Sequence, residues 1–470
     1  MFTLKELEEE TNGKIINGNF DTVISLYRCG SKTHTKNEFY VPITFKNVNR
    51  EICIIDSVKN GGTGFFIEKN SNQYKEIVNE ALMINPDICI IEVENVNETI
   101  CKLGLKMRKQ NIDKEIIAVT GSVGKTSLCN LISSILETEK KVLHDFRNAN
   151  NNTREFISVD LMLFENYEIG VFELGTARPG RMEKMSQLVE PSIAVIHNIG
   201  TAHLNKFETK EGILEEKLHI TDFIKDKKLL FVNANDEYLK DIQDSKNYKV
   251  IKYSTDEAYD IFEEEGKLSF KTNIYGKEVG FSLNLYGKHY INSIIVAIKI
   301  AEIYGISYEN IIKGIENFKP IKGRFQLWKN EEKEITLIDD SYSSSFESVK
   351  LGLELTNKMK SKRKIAVLGK MAALGEQAPN LHEKLGKLLG NLEYDYLYLN
   401  GEFTKHIFKG ALNYMEEKRI KKFKTKELLI EDLKKNIQNG DAVYIKAAGQ
   451  QEFDKIVDEL KDEYKLEMEQ

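Results

Sequence analysis

The fold class predicted by this 470-residue sequence is α/β, in three domains. Residues 1–112 read as a small α/β N-terminal domain. Residues 113–317 read as a central phosphate-loop ATPase domain on a parallel sheet, and 318–470 as a Rossmann-like α/β C-terminal domain. Three observations carry this. Short, continuously apolar runs alternate with helix-period segments, the pattern of a parallel sheet covered on both faces. A glycine loop, Thr120-Gly121-Ser122-Val123-Gly124-Lys125-Thr126-Ser127, joins one such run to a helical segment. The alternation then starts afresh beyond residue 318.

Taken in order, the first segment holds strand-like Thr63-Gly64-Phe65-Phe66-Ile67 and Ile88-Cys89-Ile90-Ile91. The second opens on Ile116-Ile117-Ala118-Val119, passes the glycine loop, and continues with apolar residues at helical spacing, Leu128, Leu131, Ile132, Ile135 and Leu136. Further strands are expected at Gly170–Leu174, Ile193–Ile196 and Leu229–Val232. The third repeats the pattern with Ile335–Ile338, Ile365–Leu368, Tyr396–Leu399 and Ala442–Ile445.

Composition narrows the classes. Hydrophobic content of 41% suits a globular chain, and a net charge of −6 without a basic block argues against nucleic acid. The acidic, amphipathic start is unlike a signal peptide, and no apolar run is long enough to span a bilayer. The five cysteines are scattered without CxxC spacing, so neither structural zinc nor a disulfide framework is expected. A cytoplasmic monomer is the expectation.

The glycine loop sits between strand and helix, where backbone N–H groups and the positive helix end converge on phosphate oxygens. Lys125 would reach the β/γ-phosphates and the Thr126 hydroxyl would hold Mg²⁺. Val119 stands where the usual motif has its first glycine. Glu173 ends the next strand, where ligands of open α/β sheets gather and where a carboxylate suits Mg²⁺. His203 follows the strand after that. A lone histidine there is more often structural, and the charge run Glu215-Glu216-Lys217 is more often a solvated helix face. Asn292, near a helix start in Gly287-Lys288-His289-Tyr290-Ile291-Asn292, is placed to bond a ligand base.

The ordered set of motifs resembles the Mur ligase family, the ATP-dependent amide ligases of cell-wall precursor synthesis. Within it the likeness is greatest to the MurF-type branch, which joins D-alanyl-D-alanine to a UDP-muramyl tripeptide. The matching stretches are the loop at 120–127, Phe172–Gly175, Asn198–Phe207, Lys217, Gly287–Asn292, Lys322–Phe325, Ile338–Tyr342 and Val367–Glu376, followed by His382. The resemblance implies an ATP-dependent ligase working through an acyl phosphate on a nucleotide-linked peptide substrate and an amino acid or dipeptide. It gives roles to Gly121, Ser122, Gly124, Lys125, Thr126 and Ser127 at the ATP phosphates. Thr126, Glu173, Lys217 and His203 fall at Mg²⁺, with Lys217 matching a lysine that the family carbamylates. His289 and Asn292 match adenine-side contacts, and Arg324 and Asp340 match contacts made from the third domain. Lys125, Lys217 and His203 are the catalytic candidates.

Departures fall elsewhere. Gly30-Ser31-Lys32 replaces Asp-Ser-Arg, and Asn49-Arg50-Glu51 replaces Asp-Gly-His. Tyr342-Ser343-Ser344-Ser345-Phe346 replaces Tyr-Asn-Ala-Asn-Pro, and Lys446-Ala447-Ala448-Gly449 replaces Lys-Gly-Ser-Arg. His219 stands for a glutamate and Arg178 for a histidine. The alternatives that stay open are a paralogue acting on a non-muramyl carboxylate, a non-catalytic ATP-binding regulator, and a phosphate-loop kinase or ATPase of another class.

Overall fold

Alternation along the strand Glu115–Thr120 sends Ile116 and Ala118 to one face of a sheet and Ile117 and Val119 to the other, and all are fully buried. A strand covered on both sides has no polar face to show, which is why this run is continuously apolar. The computed structural model describes residues 1–29, 37–45, 49–144, 153–264 and 266–468.

The central sheet has six strands in the order Lys249–Tyr253, Leu229–Asn233, Ile193–Ile196, Glu115–Thr120, Ile169–Glu173, Val142–Leu143, all parallel. Helix Lys125–Leu136 covers one face with Leu128, Leu131, Ile132 and Ile135. Helix His289–Ile303 packs beside it and is apolar on nearly every side. It needs that breadth because its outer side meets a three-stranded antiparallel sheet, Tyr259–Glu264, Lys267–Ile274 and Lys277–Leu283. This sheet is absent from the sequence expectation. Its middle strand buries only alternate residues, Leu268, Phe270, Thr272 and Ile274, between charged neighbours. The other face of the parallel sheet is covered by helices Val96–Gln110, Arg154–Leu161 and Arg181–Val189.

The N-terminal segment forms a five-stranded sheet ordered Lys14–Asn17, Cys89–Val93, Gly64–Glu68, Phe39–Tyr40, Tyr27–Arg28. The third segment forms a seven-stranded sheet ordered Ile420–Phe423, Tyr396–Asn400, Arg363–Leu368, Asp441–Lys446, Ile335–Asp339, Gln326–Asn330, Glu467–Met468. Its expected strands are all present and parallel. At one edge Gln326–Asn330 pairs antiparallel with Ile335–Asp339, and Glu467–Met468 pairs antiparallel with Gln326–Asn330.

Arg108, only 1% exposed, ties the first segment to the central sheet. Its guanidinium donates to the carbonyls of Val189 at 2.7 Å, Asn111 at 2.6 Å, Lys114 at 3.1 Å and Glu190 at 3.2 Å. Replacing it with methionine leaves those carbonyls unpaired in a buried place. Arg108→Met should therefore lower stability by about 2–4 kcal/mol, seen as a fall in the urea midpoint at unchanged slope. An unchanged midpoint would show that the guanidinium contributes nothing.

Candidate active site

The site grows out of the sheet order. From Glu115–Thr120 the chain fills one side of the sheet with Val142–Leu143 and Ile169–Glu173. It then crosses to the other side for Ile193–Ile196 and the strands beyond. A crevice opens at the carboxyl ends of strands where the winding direction reverses. Glu173 therefore lies on one lip, Asn198 on the other, and the glycine loop between them.

The loop is braced from beneath. Asn198 Oδ1 accepts from the N–H groups of Ser122 and Val123, both at 2.9 Å, and its Nδ2 donates to the Val123 carbonyl at 2.9 Å. Gly200 N–H donates to Ser122 Oγ at 2.8 Å. His197 forms the floor, held by the Tyr253 hydroxyl at 2.9 Å, and burial lowers its pKa to about 4. Gly124 sits on this floor at φ 79°, where a Cβ would lie 3.2 Å from the His197 ring. Both facts require glycine, and the turn they permit starts helix Lys125–Leu136 with its free N–H groups aimed into the crevice.

On the other lip, Glu173 Oε2 accepts from the Thr126 hydroxyl at 2.6 Å, and Glu173 Oε1 lies 3.7 Å from Lys125 Nζ. Among the described residues no cluster of three or more His, Cys, Asp or Glu could hold a metal by itself. Glu173 and Thr126 could supply the few protein oxygens that Mg²⁺ takes when phosphates and waters fill the rest. Beside them is a cavity of about 140 Å³ lined by Gly121, Lys125, Arg181, His203 and Lys217, among others.

Lys217 lies on helix Lys210–Leu218 and is 4% exposed. Its amine donates to the Gly121 carbonyl at 3.0 Å and to Thr120 Oγ1 at 3.4 Å. Burial, reinforced by Lys125, lowers its pKa to about 7. The solvated-face expectation holds for exposed Glu215 but fails for its neighbours. Glu216 is turned inward and caps helix Arg181–Val189, accepting from the N–H groups of Gly180, Arg181 and Met182 and from the Thr176 hydroxyl. His203 adopts φ 65°, and burial beside Lys125 and Lys217 lowers its pKa to about 4.

The third sheet faces this crevice. Arg324 lies 4.0 Å over the Tyr342 ring and donates to Ser343 Oγ at 2.7 Å. Asn292 Oδ1, Arg324 Nε, Tyr342 Oη and Ser344 Oγ are buried without a hydrogen-bond partner among the described residues. Buried polar atoms are rarely left so, and these four come from facing parts of the central and third sheets, as atoms awaiting a ligand would. His289 is open to solvent at the start of its helix. A second cavity, of about 420 Å³, lies at the junction of the two halves, lined by Tyr286, Tyr290, Phe318 and Phe325 among others. Asp340 is turned into the third domain, where Oδ2 accepts from Lys446 Nζ at 2.5 Å and the Tyr444 hydroxyl at 2.9 Å.

Lys125, Thr126, Glu173, His203 and Lys217 are thus brought together, with Asn292 and Arg324 at the facing edge. The sequence reading did not single out His197 as loop floor, Asn198 as brace, or Arg181 in the cavity. For Asn198 a signal existed, a polar residue two positions after a buried strand. Of the departing segments, Gly30-Ser31-Lys32 lies outside the described residues. Arg50 donates to the Cys29 carbonyl at 2.5 Å and stacks 4.9 Å over Phe156. Arg178 is exposed, and His219 pairs with Asp222 at 2.7 Å.

A phosphate loop at a switch point, a carboxylate on its lip and a facing third domain form the arrangement of an ATP-dependent ligase. The profile of the Mur ligase middle domain matches residues 119–301, and that of the Mur ligase glutamate ligase domain matches residues 323–449. The UDP-N-acetylmuramoyl-tripeptide–D-alanyl-D-alanine ligase of Bacillus subtilis is 26% identical over 464 residues, covering 97% of this chain and 98% of that one. A crystal structure of MurF from Acinetobacter baumannii superposes with TM-score 0.77 at 22% identity, covering 98% of this chain and 99% of that one. The ADP complex of MurF ligase from Thermotoga maritima gives TM-score 0.72 at 23% identity, over 94% and 98%. The chain belongs to the Mur ligase family and is an ATP-dependent, amide-forming enzyme.

The depressed Lys217 pKa sets a pH signature. The unfolded lysine binds a proton up to about pH 10.5 while the folded one releases it near pH 7. Folding therefore carries a penalty for the buried ammonium that is full below pH 7 and fades as pH rises towards 10. In carbon-dioxide-free buffer, Lys217→Met should stabilise the protein most near pH 6 and least near pH 10, by chemical denaturation. A pH-independent difference would contradict the buried, easily deprotonated amine.

Proposed function

We propose that this enzyme joins D-alanyl-D-alanine to the terminal carboxylate of a UDP-muramyl tripeptide, through an acyl phosphate. The observation that carries the reading is the convergence of the braced phosphate loop, Glu173 and buried Lys217 on one crevice. In the proposed division of labour, residues 1–112 receive the UDP end, 113–317 the ATP, and 318–470 the amine. A cytoplasmic monomer is part of the proposal; among the described residues no helix is long and apolar enough to cross a membrane.

The chemistry needs γ-phosphoryl transfer to a carboxylate, then attack by the amine and loss of phosphate. Loop N–H groups and Lys125 hold and neutralise the phosphoryl group, and positioning of this kind is most of what such transfer requires. Mg²⁺, when bound, neutralises the charge shared between the phosphates. Thr126 and Glu173 would hold one ion. Lys217, its pKa lowered to about 7, has a neutral amine available near neutrality to attack carbon dioxide, and as a carbamate it would offer oxygens to a second ion. His203, uncharged at pH 7, would remain a neutral neighbour. His289 and Asn292 would meet the adenine side. Arg324 would approach the nucleotide, and Asp340, with Oδ2 committed to Lys446 and Tyr444, would do so with its other oxygen.

A second reading, a paralogue with another acceptor or carboxylate, is favoured by the third domain's crevice. Ala447 and Ala448 are buried there, and a Cβ on Gly449 would lie 2.8 Å from the Tyr342 carbonyl oxygen. An arginine side chain at that position has no room without a backbone shift.

Two measurements test the proposal. Lys125→Ala should lose about 10³-fold or more in turnover while staying folded. Lys217→Ala should also lose activity, with short carboxylic acids restoring part of it. Full activity in either folded variant would remove that residue from the site. For the muramyl pair itself, kcat/KM of about 10⁴ M⁻¹s⁻¹ or more supports the first reading. Weak turnover of that pair, with ligation of another amine or acid identified by product mass, supports the second.

A further inference from the structure

Glu347 sits in the first turn of helix Phe346–Asn357, on the third domain, yet its carboxylate is bonded to the central domain. Oε1 accepts from Thr201 N–H at 2.8 Å and Oε2 accepts from the Thr201 hydroxyl at 2.9 Å. Gly200 lets the carboxylate lie flat against the backbone, since a Cβ there would be 3.0 Å from Glu347 Cδ. Four residues on, the same loop meets the third domain again. Asn205 packs on Gly375, where φ is 55° and an added Cβ would lie 2.5 Å from Asn205 Cβ.

The segment held by these two contacts is the one that carries the chemistry. Its near end is wired to the phosphate loop through Asn198 and through Gly200 N–H to Ser122 Oγ. Ile199 N–H donates to Asp236 Oδ2 at 2.8 Å, which fixes it to the sheet. His203 lies between the two third-domain contacts in a left-handed conformation that costs a non-glycine residue energy unless its surroundings impose it. The helix is capped by Ser345, and both carboxylate oxygens of Glu347 are directed across the domain boundary to Thr201.

We propose that Glu347 is a positioning residue: its carboxylate clasps Thr201 when the third domain closes, and so sets the 198–205 loop, with His203 and the underside of the phosphate loop, in its working geometry. Glu347 touches no reacting atom and acts through Thr201. The coupling runs both ways, so a phosphate loop ordered by nucleotide favours the closed third domain as much as closure favours the loop.

The turnover part of the test rests on the ligase reading above; the closure part does not. Small-angle scattering of the full chain, with and without Mg²⁺ and a non-hydrolysable ATP analogue, reads closure directly. The native protein should compact, and Glu347→Ala should stay extended or compact only at higher analogue concentration. In turnover, Glu347→Ala should lower kcat by about 10- to 100-fold and weaken the apparent affinity for ATP in step with the loss of closure. Glu347→Gln, which can still accept from Thr201 N–H, should recover most of that loss. Thr201→Val, which keeps the N–H and removes the hydroxyl, should lose less than Glu347→Ala, and the double variant should be no worse than Glu347→Ala alone. Native compaction in folded Glu347→Ala would overturn the proposal whatever the substrate. Additive losses in the double variant would overturn it as well. If Glu347→Ala does not fold, Glu347→Asp, whose carboxylate is one methylene too short to reach Thr201, carries the same comparison, and native closure in it overturns the proposal. A native enzyme that closes but fails to ligate the muramyl pair would count against the substrate, not the clasp.

Discussion

A single carboxamide, that of Asn198, fixes the geometry on which the rest of the site depends. A loop that binds phosphate must keep some backbone N–H groups unpaired, and unpaired N–H groups are unstable in a folded interior. Asn198 resolves the conflict by taking the N–H groups of Ser122 and Val123 and returning a donor to the Val123 carbonyl. What remains unpaired is the first turn of helix Lys125–Leu136, which points where an anion can lie. The brace works because Asn198 lies two residues beyond the strand adjacent to the loop strand, a neighbour only in the folded sheet.

Around that brace the protein keeps its basic groups in different charge states. Burial lowers the pKa of Lys217 to about 7 and that of His203 to about 4, whereas Lys125 lies 3.7 Å from the Glu173 carboxylate. Crowding unpaired cations into a crevice of this size would oppose folding, and the two lowered pKa values relieve that opposition. Glu216, next to Lys217, is spent on a helix end, so the anion nearest in sequence does not neutralise the lysine as a direct partner.

Much of this was legible in the residues. Continuous apolar runs identify strands covered on both faces, and the loop, Glu173 and the third-domain runs stand where those strands place them. The three-stranded sheet at 259–283 was not legible, because its strands alternate buried residues with polar or charged ones and so lack the continuous apolar runs that mark the other sheets. The inward turn of Glu216 and Lys217 was hidden too. Nothing within Lys210–Leu218 marks a buried side, and what buries it is a cavity assembled from residues far along the chain. Asp340 shows the same limit: adjacency to Asp339 says nothing of Lys446, which reaches it from a strand more than 100 residues later, at a separation of 106.

Arg108 has a consequence for the evolution of such chains by exchange of parts. Its side chain leaves from the last helix of the N-terminal segment, but two of its four carbonyl partners, those of Val189 and Glu190, lie at the far end of a central-domain helix. A recombination joint near residue 112 would separate a guanidinium from acceptors that evolved with it. An incoming N-terminal module would fit only if it carried a cation at the matching turn. Swapped N-terminal modules are thus filtered by a structural contact remote from the crevice, before any chemistry is selected.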